Sequence, residues 1–326
     1  MKKHKIYLAI IFSFIGILNI YAQRPEKNVA TELKLESKFI QIKDTKMHYV
    51  EQGTGDPILF LHGIPTNLYL WRNVIPEVSI SNRAIAVDLV GYGKSDVPAS
   101  GGYDANNQYS YLEGFIEKMG LKNITLVVND LGSVYGLKYA ADHPENIKGI
   151  VITEGVVMPA YEWRNQLKPM QKMMFTMFRN DGMAKMMLVN KPRIQKMIVP
   201  MMTKRHIKKA EKKAYTEPYS DIEKRKLVFQ GPGPVNFPRK QKLKPETATN
   251  EFIKMMNYNA EKLKGTKIPM LILYAKPGFI LNKKAREYAK VNYPSLTMQY
   301  LGKGKHFLPE DHPKAMGQFI STWMKK

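Results

Sequence analysis

Short apolar runs rich in β-branched residues alternate with stretches of helical periodicity along most of the chain, and this alternation constrains the fold more than any other feature. It is typical of a mostly parallel sheet covered by helices on both faces. Two early runs, Phe39–Ile42 and Met47–Glu51, are separated by four residues and predict an antiparallel hairpin that opens the sheet. The strands predicted after it are Pro57–Leu61, Ala84–Val87, Ile124–Val128, Gly149–Thr153, Pro269–Tyr274 and Leu296–Leu301. The sequence therefore predicts an α/β fold.

The alternation stops between residues 159 and 250. Residues 161–250 hold 21 Lys and Arg against 7 Asp and Glu, and they hold 10 of the 20 methionines of the chain. This segment has helical periodicity and no strand-like run, so we expect a helical cap over the strand ends, with core segments at 23–158 and 251–326. The methionines either line an adaptable apolar pocket or pack the cap on the core.

The first 22 residues predict a secretory signal peptide. Lys2, Lys3 and Lys5 form a basic start, an apolar run covers residues 6–20, and Tyr21-Ala22-Gln23 offers a cleavage point. An uncleaved anchor is the alternative, although the apolar run is shorter than the ~20 residues that a spanning helix needs. We expect a periplasmic or secreted protein.

The cysteine count and the net charge limit the kinds of molecule that this chain is expected to bind. The chain has no cysteine, so disulfides contribute nothing to its stability, and its net charge is +23. A strongly basic chain can bind nucleic acid, but export removes it from nucleic acid, and no stretch interleaves basic residues with aromatics. We expect no nucleic-acid partner, and a solvated basic face that makes at most weak contact with anionic envelope surfaces.

Asp130 is the candidate nucleophile. The strand Ile124–Val128 runs directly into Asn129-Asp130-Leu131-Gly132-Ser133, and a helical pattern begins at Val134. A strand, a sharp turn and a helix form a nucleophile elbow, in which the central side chain projects above the sheet. Asp130 is at the apex and Ser133 is not, while Val128 replaces the Gly that usually precedes the nucleophile by two positions. The alternative role of Asp130 is a helix N-cap.

Three further segments support a catalytic Asp130. His306 follows the last predicted strand as the candidate general base, and Glu154 ends the strand Gly149–Thr153, where a carboxylate can orient the imidazole. The loop that begins at His62 follows the first parallel strand, so the backbone N–H groups of Ile64 and Leu131 are the expected oxyanion donors. Nucleophile, acid and base thus follow one another along the chain.

A carboxylate nucleophile favours a particular chemistry. It displaces a leaving group from saturated carbon, and water activated by His306 then hydrolyses the resulting ester. This route suits carbon–halogen bonds and epoxides of small apolar molecules, with water as the second substrate, and we expect no metal or organic cofactor.

The chain resembles the haloalkane dehalogenase family of α/β-hydrolases, including its luciferase-like relatives, over nearly the whole mature length. The matching stretches are His62-Gly63-Ile64-Pro65-Thr66-Asn67, Tyr69-Leu70-Trp71-Arg72, Asp88-Leu89-Val90-Gly91-Tyr92-Gly93-Lys94-Ser95-Asp96, Asp130-Leu131-Gly132-Ser133, Tyr215-Thr216-Glu217-Pro218-Tyr219, Lys276-Pro277-Gly278 and His306-Phe307-Leu308-Pro309-Glu310-Asp311-His312-Pro313. The acid at Glu154, with no Asp after Pro269–Tyr274, resembles the branch that carries its acid after the sixth strand. The resemblance implies an α/β-hydrolase fold with an inserted cap.

Two positions depart from the pattern of the family. Its members hold the leaving halide with a Trp directly after the nucleophile and, in this branch, with an Asn in the oxyanion loop, where this chain has Leu131 and Ile64. Asn67, Trp163 or Asn165 are the candidate replacement donors.

Two alternatives to a dehalogenase follow from these departures. One is an epoxide hydrolase with the same triad, in which Tyr161, Tyr215 or Tyr219 protonates the epoxide oxygen. The other is a hydrolase-like binding protein that no longer turns over.

Overall fold

The structure is a computed structural model that describes residues 24–99, 104–167, 169, 185–190, 193–230 and 250–325. The predicted signal peptide, residues 1–22, lies outside the described residues. Within the part of the chain that is described, no helix has both the length and the apolar character needed to cross a membrane.

One eight-stranded sheet forms the centre of the molecule, with the strand order β1-β2-β4-β3-β5-β6-β7-β8. Strand β2 pairs antiparallel with β1 and with β4, and all other neighbours are parallel. The strands are β1 (Lys38–Ile42), β2 (Thr45–Gln52), β3 (Pro57–Leu61), β4 (Arg83–Val87), β5 (Ile124–Asp130), β6 (Ile147–Gly155), β7 (Met270–Pro277) and β8 (Leu296–Gly304). The predicted fold class and the opening hairpin are confirmed, and β5 and β6 extend beyond their predicted ends to include Asp130 and Glu154.

Helices follow the strands along the chain. The α-helices are α1 (Ile75–Val78), α2 (Ala105–Lys118), α3 (Leu131–Asp142), α4 (Ala160–Asn165), α5 (Arg193–Met201), α6 (Lys209–Thr216), α7 (Ile222–Gln230), α8 (Glu251–Lys262), α9 (Lys283–Asn292), α10 (Leu308–Asp311) and α11 (Pro313–Trp323). Shorter 3₁₀ turns cover Leu68–Trp71, Pro144–Asn146 and Glu217–Ser220, and a π-helical turn covers Lys185–Asn190.

Both faces of the sheet are buried, which explains why the central strands are continuously apolar. In β3, Leu59 and Leu61 belong to the apolar cluster that includes α2 and α3, whereas Ile58 and Phe60 belong to the cluster that includes α1 and α11. Side chains in a strand alternate between faces, so each residue of β3 contributes to one layer or the other. This double layer holds the carboxyl ends of the parallel strands at one edge.

The described residues within 159–250 contain helices and no strand, and they contact the loops at that edge. The Tyr219 hydroxyl donates to the Pro65 carbonyl after β3 at 3.0 Å, and the Lys224 ammonium donates to the Gly93 carbonyl after β4 at 2.7 Å. The Met202 carbonyl accepts from the backbone N–H of His306 after β8 at 3.0 Å. A cap has such contacts, and the boundaries of the cap stay a prediction.

Candidate active site

Asp130 occupies a strained turn between β5 and α3. Its backbone has φ 50° and ψ −123°, a conformation that costs a non-glycine residue about 1–3 kcal/mol. Gly132 allows the turn, since a Cβ added there would lie 2.5 Å from the Leu61 carbonyl oxygen. The Asp130 side chain caps no N–H group of α3, so the structure does not use Asp130 as an N-cap. The conformation is that of a nucleophile elbow.

Val128 stands where a glycine usually relieves the elbow, and the structure shows what replaces that relief. A Cβ added to Gly136 in helix α3 would lie 2.7 Å from Val128 Cγ1 and 3.0 Å from Leu61 Cδ1. Because Gly136 has no side chain, the helix leaves room for the side chain of Val128 in the strand. At this contact the small residue lies in the second turn of the helix and the larger one in the strand.

The loop after β3 closes over the Asp130 side chain. A Cβ on Gly63 would lie 2.2 Å from Asp130 Cβ, so only glycine fits there. The next residue, Ile64, donates its backbone N–H to Asp130 Oδ1 at 2.9 Å. Leu131, the second predicted oxyanion donor, directly follows Asp130 as the first residue of α3. One of the two predicted donors thus contacts the carboxylate already in the free protein.

His306 lies between the two carboxylates. Its Nε2 is 3.1 Å from Asp130 Oδ2, and its Nδ1 is 3.6 Å from Glu154 Oε2. The ring is 5 % exposed and packs edge-on against Phe279 at 5.4 Å between ring centroids. The structure therefore brings together the three residues that the sequence singles out as nucleophile, base and acid.

Glu154 is fully buried near the end of β6 and also has a positive φ, 44°. Its Oε2 accepts the backbone N–H groups of Phe279 at 2.8 Å and Ile280 at 2.6 Å. Gly278 has φ 63°, and a Cβ there would lie 2.9 Å from Glu154 Oε1. The loop after β7 thus binds the carboxylate and holds it toward the imidazole.

The two carboxylates determine the protonation of His306. Burial by itself lowers its pKa, but the hydrogen bond to Asp130 and the negative charges of Asp130 and Glu154 outweigh burial and raise the pKa to about 9. In the free protein at neutral pH, the ring is therefore a cation between two carboxylates. A change that removes the charge of Asp130 lowers the pKa of His306.

Ser133 has a structural role beside the elbow. Its hydroxyl donates to the Asp130 carbonyl at 2.5 Å and accepts the N–H of Val156 at 2.8 Å, and the residue is completely buried. This serine joins β5 to the end of β6, and it is not at the apex of the turn.

Sequence comparisons identify the family. The α/β hydrolase fold family matches residues 56–313. A haloalkane dehalogenase of Sphingobium indicum is 32% identical over 296 residues, which cover 89% of this chain and 96% of that protein. This chain belongs to the haloalkane dehalogenase family. A haloalkane dehalogenase of Mesorhizobium japonicum is 29% identical over 302 residues, 92% of this chain and 94% of its own length.

Solved structures of haloalkane dehalogenases superpose on nearly the whole chain. The enzyme from Agrobacterium tumefaciens C58 has a TM-score of 0.80 and 26% identity, covering 89% of this chain and 96% of that one. The enzyme from Bradyrhizobium elkani has a TM-score of 0.80 and 27% identity, covering 90% and 98%. This member of the haloalkane dehalogenase family is an enzyme, a hydrolase.

The three replacement donors considered for this dehalogenase family member differ in their surroundings. Asn67 accepts the N–H of Tyr69 at 3.0 Å and donates to the Ala214 carbonyl at 3.2 Å, so it caps a 3₁₀ turn and joins it to α6 instead of facing a leaving group. Asn165 is exposed at the end of α4. Trp163 is buried in the apolar cluster that contains Leu131, and it stays the candidate donor.

The tyrosines required by the epoxide hypothesis form other hydrogen bonds. The Tyr215 hydroxyl donates to Glu310, the Tyr219 hydroxyl donates to the Pro65 carbonyl, and the Tyr161 hydroxyl lies 3.3 Å from Glu162. Burial raises the pKa of all three above the ordinary value, which makes them weaker acids. Tyr215 and Tyr219 are therefore engaged within the fold, and the epoxide hypothesis depends on Tyr161 and stays a prediction.

Several residues of the dehalogenase-type site could not be found by inspecting side-chain chemistry. The Phe279 and Ile280 N–H groups bind Glu154, and the Met202 carbonyl binds the His306 loop; all three act through the backbone. The motif Lys276-Pro277-Gly278 was a signal for the first pair, since its glycine implies a tight turn or a close approach.

Proposed function

We propose that this hydrolase cleaves carbon–halogen bonds of small apolar molecules through an ester on Asp130, under a cap formed by residues 159–250. One observation carries the proposal: Asp130 Oδ1 accepts the Ile64 N–H at 2.9 Å while Oδ2 lies 3.1 Å from His306 Nε2. A carboxylate held at both oxygens on a strained turn is oriented as a nucleophile.

In the first step, an Asp130 carboxylate oxygen forms a bond to the carbon, and the carbon–halogen bond breaks. The halide leaves with the electron pair, and the substrate carbon becomes an alkyl ester. This step consumes the charge of Asp130, which is one of the causes that raise the pKa of His306. The pKa of His306 therefore falls, the ring releases its proton to solvent, and the neutral imidazole becomes available as a base.

In the second step, His306 Nε2 takes a proton from water, and the water oxygen attacks the carboxyl carbon of the ester. The proposed donors to the oxyanion of the tetrahedral intermediate are the N–H groups of Ile64 and Leu131. As this intermediate collapses, the bond between the carboxyl carbon and the alkyl oxygen breaks. That oxygen takes the proton of the added hydroxyl and leaves as the alcohol, and the Asp130 carboxylate is regenerated. Glu154 holds the imidazolium that forms during the step.

Leaving-group preference follows from the two departures at Leu131 and Ile64. Negative charge arrives on the halogen as its bond breaks, and neither side chain has a hydrogen-bond donor. Chlorides depend most on such donors, because chloride is a poorer leaving group than bromide or iodide. We propose that the enzyme prefers bromides and iodides, with Trp163 as the remaining candidate donor.

The experiment measures halide release and epoxide opening on matched apolar substrates, together with intact-protein mass spectrometry. The parent is expected to release halide and leave epoxides intact, Asp130→Ala is expected to be inactive, and His306→Gln is expected to accumulate an alkyl ester on Asp130. Ser133→Ala is the control and retains the ester site. Epoxide opening without halide release would refute the substrate class, and a label on any other residue would refute the nucleophile.

We infer export from the basic start and apolar run of residues 1–22, and weak contact with anionic surfaces from the charge of residues 161–250. On α5, Lys196, Met197 and Met201 are exposed. Intact-protein mass spectrometry is expected to show a periplasmic or secreted form whose first residue is Gln23. A full-length form held in the membrane would contradict export. Salt-sensitive sedimentation with anionic vesicles tests the contact.

A further inference from the structure

A buried cluster of four charged side chains lies beside the base loop, residues 305–311, which carries His306. Glu310 forms a two-oxygen pair with Arg72, at 2.6 Å and 3.0 Å, and also contacts Arg205. Glu211 lies 3.2 Å from Arg72 and 3.0 Å from Arg205. The Arg205 side chain is 7 % exposed and the other three are fully buried. Two positive and two negative charges balance, so removal of one carboxylate leaves a buried guanidinium without compensation.

The four residues come from three parts of the chain. Arg72 follows the 3₁₀ turn that continues from the Ile64 loop, and Arg205 and Glu211 belong to the predicted cap. Glu310 lies in α10, four residues after His306. The cluster therefore joins the oxyanion loop, the cap and the base loop at one point.

The same cap segment also binds the backbone of the base loop. The Met202 carbonyl accepts the N–H groups of His306 and Phe307 at 3.0 Å and 3.2 Å. At the other end of the loop, the Asp311 carboxylate accepts the N–H groups of Lys204 and Arg205 at 2.8 Å and 2.9 Å. Residues 202–205 thus contact both ends of the loop that carries the imidazole.

We propose that Glu310, with Arg72 and Arg205, is a positioning residue for the base: it holds residues 202–205 against the base loop and so keeps His306 aligned for attack on the ester. The inference rests on the proposed function. It predicts that a weakened cluster slows hydrolysis of the ester, which needs the base, and leaves the displacement by Asp130 unchanged. A misplacement of about 1 Å costs up to about 10²-fold in rate.

The test variant is Glu310→Gln, which keeps the shape of the side chain and removes its charge. We expect kcat and KM to fall together by about 10- to 100-fold, kcat/KM to stay unchanged, and the alkyl ester to accumulate in the steady state. Glu310→Asp, which restores the charge, is expected to recover part of kcat. A merely structural role would lower kcat/KM through loss of folded protein and would show no ester.

The matched control is Glu223→Gln, which removes a surface carboxylate that pairs with Lys226 at 2.6 Å on α7 of the cap. It is expected to behave as the parent. If Glu310→Gln does not fold, Arg205→Gln at the edge of the cluster tests the same prediction. If His306→Gln accumulates the ester and neither cluster variant does, the positioning role is wrong while the proposed function stands. If His306→Gln accumulates none, the proposed function fails.

Discussion

Replacement of Glu154 by Gln tests the role of Glu154 as the acid that orients His306, because the substitution removes one negative charge and leaves the side-chain volume almost unchanged. The carboxylate is fully buried and accepts two backbone N–H groups at 2.8 Å and 2.6 Å through one oxygen. The amide oxygen of the substituted side chain can accept the same two N–H groups. The amide nitrogen then takes the place of Oε1 and brings no negative charge toward His306.

The magnitude follows from the 3.6 Å distance between Glu154 Oε2 and His306 Nδ1. At an effective dielectric constant of about 20, a unit charge at this distance stabilises an imidazolium by about 5 kcal/mol. Since ~1.4 kcal/mol corresponds to a tenfold change, ester hydrolysis is expected to slow by about 10³-fold or more. The displacement step needs no imidazolium, so its rate is expected to change little.

The assay follows both steps with a bromide substrate. Rapid quenching and intact-protein mass spectrometry measure formation and decay of the alkyl ester, and a bromide burst reports the first step. Glu154→Gln is expected to give a full burst, a long-lived ester and a lower pKa of His306. Glu251→Gln, which removes a surface carboxylate, is the control. A normal decay rate for the ester in Glu154→Gln would refute the role of Glu154 as the orienting acid.

Three further predictions follow from the site. Leu131→Trp with Ile64→Asn is expected to raise chloride turnover more than iodide turnover, measured as halide release; an equal change for both would argue against missing donors. The pKa of His306 in the folded protein, about 9, lies above its ordinary value of 6.5, so the ionised ring stabilises the fold fully below pH ~6.5 and this contribution is lost as pH rises through ~9. Thermal unfolding of the parent is expected to show a loss of about 3 kcal/mol over this pH range. The His306→Gln variant is expected to show no such loss. Gly63→Ala is expected to cost at least about 10²-fold in kcat, since its Cβ would overlap Asp130; a normal ester-forming rate would contradict that geometry.

The fold could be predicted because strands buried on both faces are recognisable from local sequence. The run Pro57–Leu61 matches β3 residue for residue. Asp130 and His306 are recognisable because Asp130 comes two residues after the run Ile124–Val128 and His306 lies in the loop after the last strand. The end of an apolar run in the sequence therefore indicates where a strand ends in the fold, and the site residues lie at the strand ends.

The remaining parts of the site depend on long-range packing that no local pattern encodes. Arg72 and Glu310 are 238 residues apart in the sequence and meet only in the folded protein. Asn67 has the chemistry of a donor, but the structure uses both ends of its amide within the fold. Backbone groups such as the Met202 carbonyl carry no residue-type signal at all.

The space shared by Val128 and Gly136 has a consequence for how such proteins change during evolution or design. A methyl group added to Gly136 would lie 2.7 Å from the Val128 side chain, so the side-chain volumes at the two positions are coupled across the strand and the helix. A larger residue at 136 would require a smaller residue at 128 and a shift of Leu61, whose Cδ1 would lie 3.0 Å from the added methyl group. Substitutions at these positions are expected to be epistatic: glycine at 128 fits beside Gly136, whereas a larger residue at 136 does not fit beside Val128. A motif search that requires a glycine two residues before the nucleophile would miss this chain.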